Sequence, residues 1–256
     1  MDVSAILAIA YRDLLKFLRD PLRIISTLIF PVIFVGIMGG SFQANLEVGY
    51  NYLVFIFTGV LAQTLFQSSA MGIVSLIEDR ENDFSQEIFV SPISRYSIVF
   101  GKILGESLVA LPQGLAILVF GLVMGVSMSG PQILGLLPTA VACSLLGGAF
   151  GVIIMSNLKS QRAATQIFPF IMLPQYFLAG VFTPIDNLPP VLDFLSKISP
   201  MRYAVDLLRG VFYTATPDYA AVVLARPMVN LTIITALFLA FLVTGTVLFV
   251  RNERNK

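Results

Sequence analysis

Five carboxylates fall within residues 78–87 of this chain: Glu78, Asp79, Glu81, Asp83 and Glu87, in a run reading IEDRENDFSQEIFVSPISRYSIVFGK. They are a third of its 15 acids, in a sequence that is 57% hydrophobic and 12% charged. So concentrated a polar segment in so apolar a chain marks a place where something water-soluble meets it. If Glu78 to Val90 is helical, Phe84 and Ile88 stand one turn apart as an apolar ridge, with the acids and Arg80 around them. That is a small hydrophobic anchor with a charged rim, suited to a groove whose own rim is basic. The alternative is an ordinary solvated loop, the usual fate of a charge run.

Two further constellations carry charge into apolar surroundings. Arg202, Asp206 and Arg209 recur at helical spacing in NLPPVLDFLSKISPMRYAVDLLRGVFY. They make one narrow polar stripe in which Asp206 is expected to neutralise both bases. Lys102 and Glu106, one turn apart, are expected to pair in the same way rather than to relay protons.

Other chemistry is excluded by what is missing. Without histidine the chain lacks the commonest metal ligand and the commonest general base, so neither a paired-histidine metalloprotease nor a serine hydrolase is built here. Glu106 is the sole carboxylate candidate at membrane depth, too few for a paired-aspartate protease. Charge this sparse also argues against a proton- or sodium-driven carrier. No G-x-x-x-x-G-K-[ST] occurs, and Gly101-Lys102-Ile103 lacks the first glycine and the hydroxyl residue of such a loop. No catalytic residue, metal site or bound cofactor is therefore expected. A net charge of +1 gives no nucleic-acid signal. The single cysteine, Cys143, lies in an apolar run and is expected to be a packing residue.

The elements that must hold these residues are membrane helices. A mean hydropathy of +0.87 belongs to a multi-span helical protein. Six stretches can cross a bilayer: Ile24–Phe42, Tyr52–Ile77, Ile103–Met128, Ile133–Ser156, Thr165–Phe182 and Val229–Val250. No cleavable leader is evident, and the first span is expected to act as its own insertion signal. Twelve bases, among them Arg12, Lys16, Arg80, Lys159 and Arg251, fall on one side of this pattern. Only Lys197, Arg202, Arg209 and Arg226 fall on the other. The positive-inside rule places both termini and the acidic run in the cytoplasm of a cell (inner) membrane protein.

Residues 1–20 read as a basic amphipathic helix. Val3, Ile6, Leu7, Ala10, Leu14, Phe17 and Leu18 share the apolar face, Arg12, Lys16 and Arg19 lie opposite, and Asp20-Pro21 ends it. It is expected to lie in the interface as an elbow, the alternative being a soluble helix packed on a partner. The stretch 183–228 is a long outer loop whose helices dip into the outer leaflet or pack over the spans. Gly36/Gly40, Gly101/Gly105, Gly121/Gly125 and Gly147/Gly151 are G-x-x-x-G pairs that permit close helix approach. The fold expected is all-α, one permease-like unit over 1–256: elbow, six spans, a cytoplasmic loop at 78–98, and outer re-entrant helices before the last span.

Two stretches resemble a known family, the ABC transporter type-2 permeases. EDRENDFSQEIFVSPISRYSIVFGKIL is similar to the family's acid-Arg-acid…Ser/Thr-Pro…Arg…Gly-Lys run. LAGVFTPIDNLPPVLDFLSKISPMRYAVDLLRGVF is similar to its Gly-x-x-x-Pro…Leu-Pro…Arg block. Asp83-Phe84 stands where many relatives have Gly-Thr. The resemblance implies a permease subunit, itself not an enzyme, that exports a hydrophobic or amphipathic drug, lipid or glycan-lipid. ATP and magnesium would be held by a separate ABC ATPase subunit, and a second permease copy would complete a homodimer or close heterodimer in the bilayer. Glu78 to Ile88 would then form the coupling helix that docks into the ATPase. The second and fifth spans would face a central cavity, pointing to Gln63, Phe66, Gln67, Phe170, Pro174 and Phe177, which could equally pack the dimer seam. Two other functions stand beside export: an ABC subunit transmitting ATPase work to an envelope process, and a receptor or scaffold without transport.

Overall fold

In a computed structural model of the chain, residues 2–39, 49–81, 94–158, 160–214 and 216–254 are described. Among them every regular element is a helix. These are α1 (Val3–Leu18), α2 (Pro21–Ile33, continued by a π-turn Phe34–Met38), α3 (Tyr52–Gly72) and α4 (Val74–Glu81). Then come α5 (Arg95–Val123), α6 (Gly130–Ser156), α7 (Gln161–Leu178), α8 (Pro190–Ile198), α9 (Pro200–Phe212), α10 (Tyr219–Val222) and α11 (Pro227–Arg254). The starts are written in the sequence. Asp2, Asp20, Asn51, Ser94 and Ser160 each accept a hydrogen bond from a backbone amide two or three residues on, capping α1, α2, α3, α5 and α7.

Among the described residues, five helical segments are long and apolar enough to cross a membrane: Pro21–Met38, Tyr52–Asp79, Arg95–Val123, Gly130–Ser156 and Tyr219–Asn252. The expected fifth span appears as α7, whose 18 residues include Gln161, Arg162, Thr165 and Gln166 and are accordingly less apolar. The expected third span begins eight residues before Ile103, at Arg95, so Lys102 and Glu106 lie inside the helix rather than at its mouth.

Helix α3 is the hub, buried along almost its whole length and packed against α5, α6 and α9, with α11 on the far side of α6. Apolar surface gains little by leaving lipid for protein, so close backbone approach does much of the holding. Gly147 and Gly151 of α6 lie so near the carbonyls of Phe66 and Ala70 on α3 that a Cβ at either position would overlap them. Gly101 and Gly105 of α5 likewise admit α1, with Ile6, Ala10 and Asp13 directly above. The pair Gly121/Gly125 does not work this way: Gly121 faces the Phe57 ring, whereas Gly125, at φ +89°, lies just beyond the end of α5.

The apolar residues of α1 divide into two stripes rather than one. Ile6, Ala10 and Phe17 are buried together with Asp13, while Val3, Leu7, Tyr11 and Leu18 face outward. At the opposite end of the bundle, α9 packs over α3, α6 and α11. There Cys143 is buried and its thiol donates to the Ala204 carbonyl at 3.4 Å, the packing role expected of it.

Candidate functional site

The charged residues of α1, α4 and α5 converge where the chain leads into the acidic run. Lys102 of α5 is 2% exposed; its Nζ stands 2.8 Å from Asp79 Oδ2 and 3.1 Å from Asp13 Oδ2. Arg12 Nη2 reaches the same two carboxylates, at 2.9 Å from Asp13 Oδ1 and 2.7 Å from Asp79 Oδ2. Lys16 stands off at 4.0 Å from Asp79. Burial works against the Arg12 charge, but Asp13 and Asp79 outweigh it and hold its pKa above the ordinary guanidinium value. The network continues through Ser75, which accepts from Lys102 at 3.1 Å and lies 3.0 Å from Glu106 Oε1. Glu106, 2% exposed, is 3.7 Å from Arg23 Nη2.

Three local features allow this. Gly105 leaves room for Asp13, since a Cβ there would press on its side chain at 3.2 Å. Gly72, where α3 gives way to α4, leaves room for the Glu106 carboxylate. The Asp2 amide donates to Ser97 Oγ at 3.0 Å and pins the start of α1 to the start of α5. Buried carboxylates and cations gathered within hydrogen-bonding reach form a rigid junction, because removing any one strands its partners in low dielectric.

This geometry corrects two expectations. Lys102 pairs with Asp13 and Asp79, not with Glu106 one turn away; Glu106 turns to Ser75 and Arg23 instead. Asp79 does not belong to an exposed rim: it is 8% exposed and held by Arg12 and Lys102. Glu78 is partly exposed beside it. Asp83, Phe84, Glu87 and Ile88 lie outside the described residues, as do the side chains of Arg80 and Glu81. Asp13, Arg12, Arg23 and Ser75 were missed by the sequence reading. For Asp13 a signal exists: it falls at i+7 from Ile6 and i−4 from Phe17, in register with the buried stripe.

The outer stripe is also rearranged. Asp206, 4% exposed, accepts from the amides of Leu224 and Ala225, both at 2.8 Å, and from Asn230 Nδ2 at 2.7 Å. It ties the loop before α11 to α9 and forms no ion pair with either arginine. Arg202 donates to Ser196 Oγ at 2.8 Å and lies 3.8 Å from Asp193. Arg209 is buried beneath α9, bonded to the carbonyls of Phe55 and Val181, with its guanidinium 3.7 Å from the centre of the Phe55 ring. Burial lowers its pKa to about 10, and it stays charged at neutral pH.

The six residues expected to share a cavity do not converge. Gln63 and Gln67 face the same way on α3, with Gln63 Nε2 donating to Gln67 Oε1 at 3.1 Å. Phe66 turns into the core instead, where it is fully buried and its ring centre is 5.6 Å from that of Phe150. On α7, Phe170, Pro174 and Phe177 point outward, the two phenylalanines 79% and 54% exposed. The contact between α7 and the glutamines is made by Tyr176, whose hydroxyl donates to Gln67 Oε1 at 2.6 Å. Tyr176 continues the buried row Ala164, Phe168 and Met172, a four-residue spacing that an aromatic count passes over.

Residues 4–213 match the family model described as ABC-2 type transporter. The chain is 26% identical over 220 residues to "Putative transport permease ycf38" of Cyanophora paradoxa, covering 82% of this chain and 74% of that protein. Over 142 residues it is 28% identical to "Probable multidrug ABC transporter permease YbhR" of Escherichia coli K12, 54% of this chain and 38% of that one. With "Daunorubicin resistance ABC transporter permease protein DrrB1" of Streptomyces coeruleorubidus it shares 23% identity over 222 residues, 82% and 76% of the two.

Proposed function

Because this chain belongs to the ABC-2 type transporter family, we propose that it is the membrane-spanning permease subunit of an ATP-driven exporter. It pairs with a separate ATPase and moves a hydrophobic or amphipathic substrate out of the cytoplasm or inner leaflet. The observation that carries the mechanism is the buried network. Helix α4 leads directly into the acidic run 78–88, and Asp79 fastens it to α1 through Arg12 and to α5 through Lys102. A push on that run by an ATPase is therefore delivered to the elbow and a spanning helix together. Glu78, Phe84 and Ile88, with the acids between them, are the docking surface in this reading, and Asp79 is its anchor within the membrane subunit.

The rest of the architecture follows from the same reading. Helix α7 supplies a sixth crossing, which brings both termini to the cytoplasmic side as the basic residues require. The outward stripe of α1 (Val3, Leu7, Tyr11, Leu18) lies in the bilayer interface, and α8 and α9 cap the outer end. The exposed face Phe170, Pro174 and Phe177 is available to a second copy of the permease, where it would line the path between the two. Relatives named for multidrug and daunorubicin resistance support a drug-like or lipid-like cargo.

The test is reconstitution of the chain with a candidate ABC ATPase from the same organism, measuring ATP hydrolysis and uptake of daunorubicin into inside-out vesicles. Export predicts that uptake needs ATP and both subunits. ATPase binding without drug-stimulated hydrolysis or uptake of any amphiphile would instead favour a subunit transmitting work to an envelope process. Failure to bind any ATPase would leave a receptor or scaffold.

A further inference from the structure

A cavity of about 200 Å³ lies between α2, α3 and α5, and its lining is unusual for a membrane interior. Ser26 and Thr27 of α2 face Gln63, Thr64, Gln67 and Ser68 of α3 across it, with Gln113 of α5 completing the wall. Among the described residues, no acidic or basic side chain lines it. A second cavity, on the Leu61/Leu65 face of α3, has an almost wholly apolar wall, mostly leucines with Ile133, Ala140 and Val141, so a polar lining is not general to cavities in this bundle.

The hydrogen-bond accounts of the lining do not close. Ser26 and Thr27 donate to carbonyls of their own helix, the Gln63 amide donates to Gln67, and Gln113 donates to Val109. Gln63 Oε1 and Thr64 Oγ1 have no partner, although the two residues are 1% and 6% exposed. An unmet buried polar atom is costly and recovers free energy when a partner arrives. Hydroxyls and amides both donate and accept, and so match a ligand whose groups do the same. An ammonium or a phosphate group offers only one side of that exchange, and at this depth would need a counter-charge that the walls do not hold.

We propose that this cavity binds a neutral, hydroxyl-rich head group, of which a sugar is the simplest example. The volume is below that of pockets enclosing whole drug-sized ligands, so the head group alone enters and any apolar remainder stays outside. The inference rests on the permease reading only for what happens after binding; the site itself stands on the cavity. It also moves the polar contact of the substrate away from the aromatic face of α7.

The probe is a monoglucosyl diacylglycerol carrying a photoreactive group beside the sugar, in phosphatidylcholine vesicles containing the full chain without any ATPase. Saturable labelling of α2 near Ser26 and of α3 near Gln63–Ser68 is expected, displaced by unlabelled glucosyl lipid. Displacement by methyl glucoside as well would identify the sugar alone as sufficient, whereas displacement only by the lipid would mean that the tail contributes; either supports the site. Gln63→Leu with Gln67→Leu should weaken labelling about tenfold, the effect of losing roughly two ordinary hydrogen bonds. Equal displacement by phosphatidylglycerol, or no saturable labelling because the cavity holds only water, overturns the proposal. If the double variant does not fold, competition on the parent chain decides alone. Labelling that succeeds while no ATPase pairs with the chain would refute the exporter and leave the site intact.

Discussion

Replacing Asp206 with alanine distinguishes what the structure assigns to this carboxylate from what its spacing implies. Its two oxygens accept three hydrogen bonds at 2.7–2.8 Å, from the amides of Leu224 and Ala225 and from Asn230. Truncation strands the three donors unequally. Asn230 is 1% exposed, so its freed donor stays buried, whereas Leu224 is 40% exposed and its amide can turn to water. A buried orphan costs about 1–3 kcal/mol and each rehydrated amide about 1 kcal/mol, giving a loss of roughly 3–5 kcal/mol. Cys143 is the chain's single cysteine and is buried, so a fluorogenic thiol dye reports unfolding in detergent as temperature rises. Asp206→Ala should react at a clearly lower temperature, and Asp206→Asn, which keeps one acceptor, at an intermediate one. Adding Arg202→Ala should not restore the parent behaviour, because Arg202 is engaged with Ser196 and Asp193 instead. Rescue by Arg202→Ala, or an unchanged dye profile for Asp206→Ala, would refute the hydrogen-bond assignment and return the residue to an ion triad.

In the inner network, Lys102→Met removes contacts at 2.8 and 3.1 Å while Arg12 stays in place, so a loss of about 3 kcal/mol is expected, the low end for a broken buried pair. The same dye assay on Lys102→Ala, Asp13→Ala and their combination should reveal a coupling of about 1–3 kcal/mol; strict additivity would mean that the two do not interact. Phe84→Ala with Ile88→Ala should leave the chain folded yet weaken ATPase association by about 1–3 kcal/mol, and unchanged co-purification and turnover would remove the docking surface. For topology, Asn45→Cys, Ser129→Cys or Asn187→Cys in a Cys143→Ala background should react with an impermeant thiol reagent outside. Asp83→Cys, Ser160→Cys and Asn255→Cys should stay protected in intact cells; labelling of Asn255→Cys from outside would mean an odd number of crossings.

Five of the spans were legible because long apolar runs leave few alternatives, but not all their starts, since the caps Ser94 and Ser160 stand well ahead of the expected Ile103 and Thr165. Charge was misread by one common error: pairing residues along a single helix. Lys102 and Glu106, or Asp206 and Arg209, are neighbours in sequence, yet each finds its partner on another element. An i, i+4 rule ranks pairs on an isolated helix, where nothing else competes; in a bundle a backbone amide or a carboxylate across a glycine gap competes and wins. The third span was started too late for the same reason, since Lys102 looked like a boundary until Asp13 and Asp79 neutralised it. On α3, Phe66 and Gln67 are adjacent and therefore about 100° apart around the helix axis, and within one chain Phe66 turns to Phe150 while Gln67 turns to Tyr176. Hydropathy marks which residues are apolar, not which neighbour each one faces.

The inner network also bears on how the chain is made. Ribosomes deliver α1 and α4 before α5, so Asp13 and Asp79 have already been made when Lys102 emerges. A lysine entering the bilayer alone faces a penalty of about 2.5–3.5 kcal/mol at the centre of a helix, and here its two counter-ions are waiting. The order of the chain thus lets the cation be neutralised as it inserts, and α1 serves as an intramolecular receiver for a later segment. Stalled nascent chains ending just after α5 should integrate that helix readily in the parent and poorly once Asp13→Ala and Asp79→Ala have removed the receiver. Equal integration would confine the network to the finished protein.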